Sequence, residues 1–175
     1  MTAYQIALFA HSYLRWVVVI LGIFLCVRAY MAWRSERLWE PGDERLHVAV
    51  VASFDIQFTL GLLLYVFLSP LPRMFFADMS TNMKDPTLRF FGLDHAVAML
   101  VATAIVHIGR VRSKHATTDR VRHGRVWVTT LFALLLIGAA TPWPGLQYGR
   151  PLLRGVTADV GVTHDGVRSA LKPLP

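Results

Sequence analysis

Apolar and polar positions alternate along this chain in long blocks, and the blocks predict four membrane-crossing helices. The first clean apolar run, Trp16 to Val27, is shorter than the roughly 20 residues a bilayer requires. A crossing helix must therefore take in Ile6 to Arg15 as well, giving a first span of about 6–27. A polar hinge from Arg28 to Arg45 follows, with Trp33, Trp39 and Pro41-Gly42 marking an interfacial turn. The second span covers about 47–69 and is closed by Pro70 and Pro72. The stretch from Arg73 to Arg89 contains Met74-Phe75-Phe76 and Pro86, and reads as a short amphipathic segment lying along the interface. The third span is about 90–109, and a basic connection from Arg110 to Arg125 leads to the fourth, about 126–144. That one stops at Pro142-Trp143-Pro144. Residues 145–175 form a polar tail outside the bundle with no helical period, and no internal repeat is evident. The fold class expected is all-α, an integral membrane four-helix bundle.

Composition supports the class. Of the residues, 54% are hydrophobic and only 17% are charged, against about 25% charged in soluble domains. The net charge of +7 would point to nucleic acid in a soluble protein, but no recognition module or basic helix is present. The basic residues fall mostly between apolar runs, where topology explains them, so the partner expected is a lipid bilayer and not nucleic acid. The first and third connections hold the denser set, Arg28 to Arg45 and Arg110 to Arg125. The positive-inside rule makes these cytoplasmic and turns both termini, the 73–89 segment and the tail to the outer, periplasmic side. Met1-Thr-Ala-Tyr-Gln offers no positive region ahead of the first apolar run, which is therefore expected to stay as a span. Cys26 is the single cysteine, which excludes intrachain disulfides, thiolate clusters and CxxCH haem attachment.

Polar groups within the spans carry the candidate chemistry. His11 and Arg15 are four residues apart and share a helical face. At 1.5 Å per residue, His11 lies roughly 7–8 Å below the outer end of its span and His95 the same distance below the outer end of the third. Two histidines from separate helices at one depth is what a b-type haem needs. Arg15 and Arg89 are placed to pair with anionic propionates, and Gly61 and Gly92 to let a flat macrocycle approach a helix. The competing reading is structural: Arg15 pairs with Asp55 or Asp94, and the histidines bond across the bundle. His47 and His107, near the cytoplasmic ends of their spans, read better as interfacial histidines than as a second haem pair. His115, His123 and His164 are expected to be solvated. Asp55 and Gln57 suit a quinone pocket or proton path, but more readily interhelical hydrogen bonds that fix register. Met74, Met79 and Met83 read as interfacial contacts. No nucleophile–base pair, phosphate loop or carboxylate constellation appears.

His11-Ser-Tyr-Leu-Arg-Trp16, Gln57-Phe-Thr-Leu-Gly-Leu-Leu-Leu-Tyr65, Arg89-Phe-Phe-Gly-Leu-Asp-His95, Gly109-Arg110 and Pro142-Trp-Pro144 together resemble a family of small bacterial four-helix membrane proteins labelled cytochrome b-like. The resemblance covers roughly residues 8–144 and leaves out the tail. The chain departs from the family's pattern at Asp94, where Glu is common, and at Asp55, where some relatives carry His. The resemblance implies a four-helix fold in a bacterial cytoplasmic membrane and, through its label, haem. The leading functional expectation is electron transfer through one b-haem ligated by His11 and His95, with Arg15 and Arg89 holding the propionates and a quinone or partner protein exchanging electrons. The rival is a non-catalytic accessory subunit of a larger respiratory or photosynthetic complex, which the small size and the absence of a catalytic constellation suit. A small transporter fits less well, since neither an inverted repeat nor a broken mid-depth helix is present.

Overall fold

The computed structural model describes residues 2–152, all of whose regular elements are helical; the rest of the tail, 153–175, and with it His164, lies outside the described residues. Helix α1 (Ala3–Arg34) opens on a reciprocal cap, in which Gln5 N–H donates to Thr2 Oγ1 (3.3 Å) and Thr2 N–H to Gln5 Oε1 (2.8 Å). Helix α2 (Pro41–Leu63) starts on a proline, which loses nothing at a first helical position. It runs on as a π-helical turn, Leu64–Leu68, and stops at Ser69-Pro70. Three short helices, α3 (Pro70–Ala77), α4 (Met79–Asn82) and α5 (Pro86–Arg89), return the chain to the bundle. A second π turn, Phe90–Asp94, leads into α6 (His95–Lys114), and α7 (Asp119–Ala139) is capped by Thr118.

Four of these stretches are long and apolar enough to cross a membrane: Ala3–Arg34, Pro41–Leu68, Pro86–Lys114 and Asp119–Ala139. Each overlaps one of the expected spans, with shifted ends. The hinge after the first span is mostly helical, because Arg28 and Arg34 continue α1 on its water-facing turns. The last span stops at Ala139, five residues before Pro144. Thr141 turns its hydroxyl back onto the Ile137 carbonyl (2.7 Å), Pro142 has no N–H to extend the ladder, and Trp143 caps the Gly138 carbonyl (2.7 Å). The 73–89 stretch is helical, as expected of an amphipathic segment: Phe75 is fully buried while Met74 and Phe76 are exposed.

Around the bundle the order is α2, α1, α7, α6, with the seam between α2 and α6 the least closely packed. The α6–α7 approach depends on Gly109, where any Cβ would overlap the Thr129 side chain. Val18, Leu25, Val50, Phe54, Val106 and Val126 are among the core side chains. The bundle end away from the start of α1 carries an ion-pair collar. Arg28 and Arg37 both reach Asp43 (2.7 Å each), while Arg110 and Arg122 share Glu44. Inside the collar His47 and His123 are 2% and 0% exposed, flanking the Trp39 indole at ring-centre distances of 6.3 and 4.8 Å. The expectation of a solvated His123 is therefore corrected, and His47, near the end of its span beside the charged collar, is buried among side chains. Trp39 folds inward with Arg122 stacked 4.1 Å over its ring, and the two imidazoles fill the space beneath.

Candidate functional site

At the opposite end of the bundle, α1, α2 and α6 diverge around a cavity of about 350 Å³ whose walls include His11, Arg15, Gln57, Tyr65, His95 and Arg150. Its size is that of a small-molecule or cofactor site. The two π turns border it, one at the end of α2 and one just ahead of His95. They are tied by Tyr65, whose hydroxyl donates to the Gly92 carbonyl at 2.6 Å. Such turns widen a helix by one residue and re-aim the side chains that follow.

His11 and His95 meet in this cavity with ring centres 6.4 Å apart and planes at 76°. Two imidazoles binding one metal from opposite sides, with metal–nitrogen bonds of about 2 Å, hold their ring centres about 6 Å apart. His95 Nδ1 lies 2.8 Å from the Ala140 carbonyl oxygen. A carbonyl only accepts, so Nδ1 carries the proton and Nε2 keeps the lone pair. Metal-binding histidines are oriented in this way by a carbonyl or carboxylate behind them. The early stop of α7 supplies that acceptor, since the last carbonyls of a helix have no partner within it. Phe90 packs beside the His95 ring and stacks on Tyr148 (3.8 Å between centres), while Thr141, Pro142, Arg150 and Pro151 from the stretch after α7 line the cavity itself.

His11 is held from α2. Gln57 Nε2 donates to the His11 carbonyl (3.1 Å) and sits 3.3 Å from His11 Nε2. A Cβ on Gly61 would come 3.0 Å from His11 Cε1, so the missing side chain makes room for the imidazole itself. Gly92 likewise makes room for the Phe75 ring. Gly92 offers a macrocycle no open helix face, because Phe75 fills its gap, which corrects the role expected of it; Gly61 lines the cavity beside the imidazole. Gln57→Leu is expected to destabilise the α1–α2 pair by about 1 kcal/mol, the scale of an interhelical hydrogen bond in membranes. Thermal unfolding in detergent measures it, and an unchanged midpoint would refute the link.

Of the expected anion-binding groups, Arg15 lines the cavity, donating to the Leu152 carbonyl (3.0 Å), which Trp16 Nε1 also reaches (3.2 Å). Arg89 lies off the cavity wall: half-exposed, it pairs with Asp94 at 3.2 Å. Arg150 takes the corresponding place, its guanidinium 5.2 Å over the Phe91 ring at the cavity wall. Little in the sequence marks this arginine, because it sits in a stretch without periodicity. Asp55 bonds to His107 Nε2 (2.6 Å), so the carboxylates considered for Arg15 are engaged by His107 and Arg89.

No protein family, no curated protein and no solved structure matches the chain. Among the described residues, no three His, Cys, Asp or Glu side chains gather as a bare metal ion would need. Two opposed imidazoles inside an apolar cavity suit a metal whose other ligands come from a macrocycle.

Proposed function

We propose that the protein binds one b-type haem between His11 and His95 and serves as a small electron carrier of a bacterial cytoplasmic membrane. The observation that carries the reading is the 6.4 Å separation of the two imidazole centres within one cavity, with His95 already fixed in the tautomer that leaves Nε2 available. His11 would ligate through Nε2 by giving up its contact with the Gln57 amide, which keeps its bond to the His11 carbonyl. Arg15 and Arg150 would neutralise the propionates, with Arg150 in the part expected of Arg89. A haem held there supplies one-electron transfer. The chain's residues fix both imidazoles on separate helices and hold compensating positive charge, Arg15 and Arg150, in the cavity wall. The density of Arg on the far collar supports a cytoplasmic collar, with the haem end and both termini facing outward. A quinone or a partner protein would exchange the electrons, and the motif resemblance to cytochrome b-like proteins supports the same reading.

The accessory-subunit reading has its own observation: Asp55 and His107, each about half exposed, face outward from apolar helices. Such a pair in lipid is costly unless a neighbour covers it.

Oxidised and dithionite-reduced spectra of the purified protein, expressed with haem supply, test the proposal. A Soret band with sharp α and β bands at one haem per chain is expected, and it should vanish in His11→Ala and His95→Ala. A folded but colourless protein, or colour that survives both substitutions, would overturn it.

A further inference from the structure

We propose that the α2–α6 seam is the interface of a homodimer whose two-fold axis runs along the membrane normal. Asp55 falls at the midpoint of the Pro41–Leu68 stretch, and its carboxylate pairs with His107 at 2.6 Å. Both side chains remain about half exposed, and neither makes another hydrogen bond among the described residues. The groups around the pair follow a helix-packing rhythm. On α2, Asp55 shares its outward face with the exposed positions Ala52, Thr59 and Leu62, and the four are spaced three, four and three residues apart. On α6 the exposed positions Leu100, Ala104, His107 and Val111 are spaced four, three and four apart. This is the periodicity of a helix–helix seam. Ala52, Thr59 and Ala104 put small or hydroxyl-bearing side chains beside the polar pair, as at close contacts between membrane helices.

Charge complementarity selects a second copy as the occupant. Membrane insertion gives every copy one orientation, so a closed pair of identical chains must be related by a rotation about the normal. That rotation keeps depth and exchanges left for right across the face. Asp55 on one side of the seam is then brought opposite His107 of the other copy, and the reverse contact forms with it. The two acids and two imidazoles would alternate around one ring, each imidazole lying between two carboxyl groups. A face carrying only one kind of charge would instead repel its own copy. Leu62 and Leu100 also line the cavity, so the same contact would cover its side facing the bilayer. The inference does not depend on haem, and its failure would leave the spectra unaffected.

Cross-linking of purified protein in liposomes with a short bis-maleimide, which can span the diagonal between the two copies of α6 where a direct disulfide cannot, reads the interface, in a Cys26→Ser background that removes the single cysteine. Ala104→Cys is expected to give a product of twice the chain mass. Its yield should exceed by about tenfold that of Leu135→Cys, an exposed position on α7 that the rotation keeps apart. Joint Asp55→Leu and His107→Leu substitution should lower the Ala104→Cys yield about tenfold, the effect of losing two symmetric interhelical contacts. The exchange Asp55→His with His107→Asp preserves the alternation and should retain the yield, which separates lost pairing from lost folding. Equal yields at 104 and 135, a yield indifferent to the double leucine variant, or cross-linking in native membranes to a polypeptide of another mass would each overturn the proposal.

Discussion

Asp43→Ala is expected to cost the folded bundle about 3 kcal/mol, the scale for removing one partner of a largely buried charge network. Asp43 is 3% exposed and accepts four hydrogen bonds. Arg28 Nε lies 2.7 Å from one oxygen, Arg37 Nη2 lies 2.7 and 2.8 Å from the two, and the Glu40 N–H donates at 3.0 Å. Those bonds fasten the end of α1 to the start of α2 and cap the latter. A guanidinium stays protonated at any ordinary pH, so Arg28 and Arg37 keep their charges when the acid is gone. Arg28 and Arg37 are each about one-third exposed, and water then recovers part of the loss, which holds the cost at the low end for buried pairs. Asp43→Asn retains an acceptor for one arginine and the cap, and should cost about half as much. Equilibrium unfolding in mixed micelles measures both. Stability within about 0.5 kcal/mol of the parent would show that the collar is a solvated ornament rather than a tie.

The collar also shows where the sequence is legible and where it is not. Apolar block length locates all four spans, because a bilayer imposes a minimum length that no local propensity overrides. It locates their ends less well, since Arg-bearing turns such as Arg28 to Arg34 continue a helix into water at no cost to the span. The His11–His95 encounter can be anticipated because depth follows from counting residues along a helix, whereas azimuth does not. His107 and Asp55 illustrate that second half. Their pairing depends on which faces of α2 and α6 turn toward each other, so residue counting alone offers Asp55 to Arg15 instead. His123 reads as a loop residue because Arg120, Arg122 and Arg125 surround it. It is buried because the Trp39 indole, brought back by the α1–α2 turn, covers it. Arg150 and the Ala140 carbonyl are hidden from sequence reasoning for a common reason: each acts from an irregular stretch after α7, where no periodicity marks a side chain or a free carbonyl as facing inward.

Gly92→Ala is expected to destabilise the protein by about 2–3 kcal/mol, the cost of overfilling a packed site, although glycine is among the poorest helix formers. The added methyl would fall inside the Phe75 ring, which is fully buried and has no room to withdraw. Relief requires α3 to lift or the Phe90–Asp94 turn to shift. Either movement strains the bond from Tyr65 to the Gly92 carbonyl that joins the two π turns bordering the cavity. Phe75→Ala alone should cost about 3 kcal/mol through the void it leaves. The two losses have opposite physical origins, one an excess of volume and the other a deficit, so they should compensate when combined. In the Phe75→Ala background, Gly92→Ala is expected to be close to neutral, a coupling of about 2 kcal/mol that unfolding of all four proteins would measure. If the glycine substitution costs the same whether or not the ring is present, the contact is not what confines residue 92. The shape of the cavity border would then have to be explained by the π turn's backbone rather than by the aromatic side chain packed behind it.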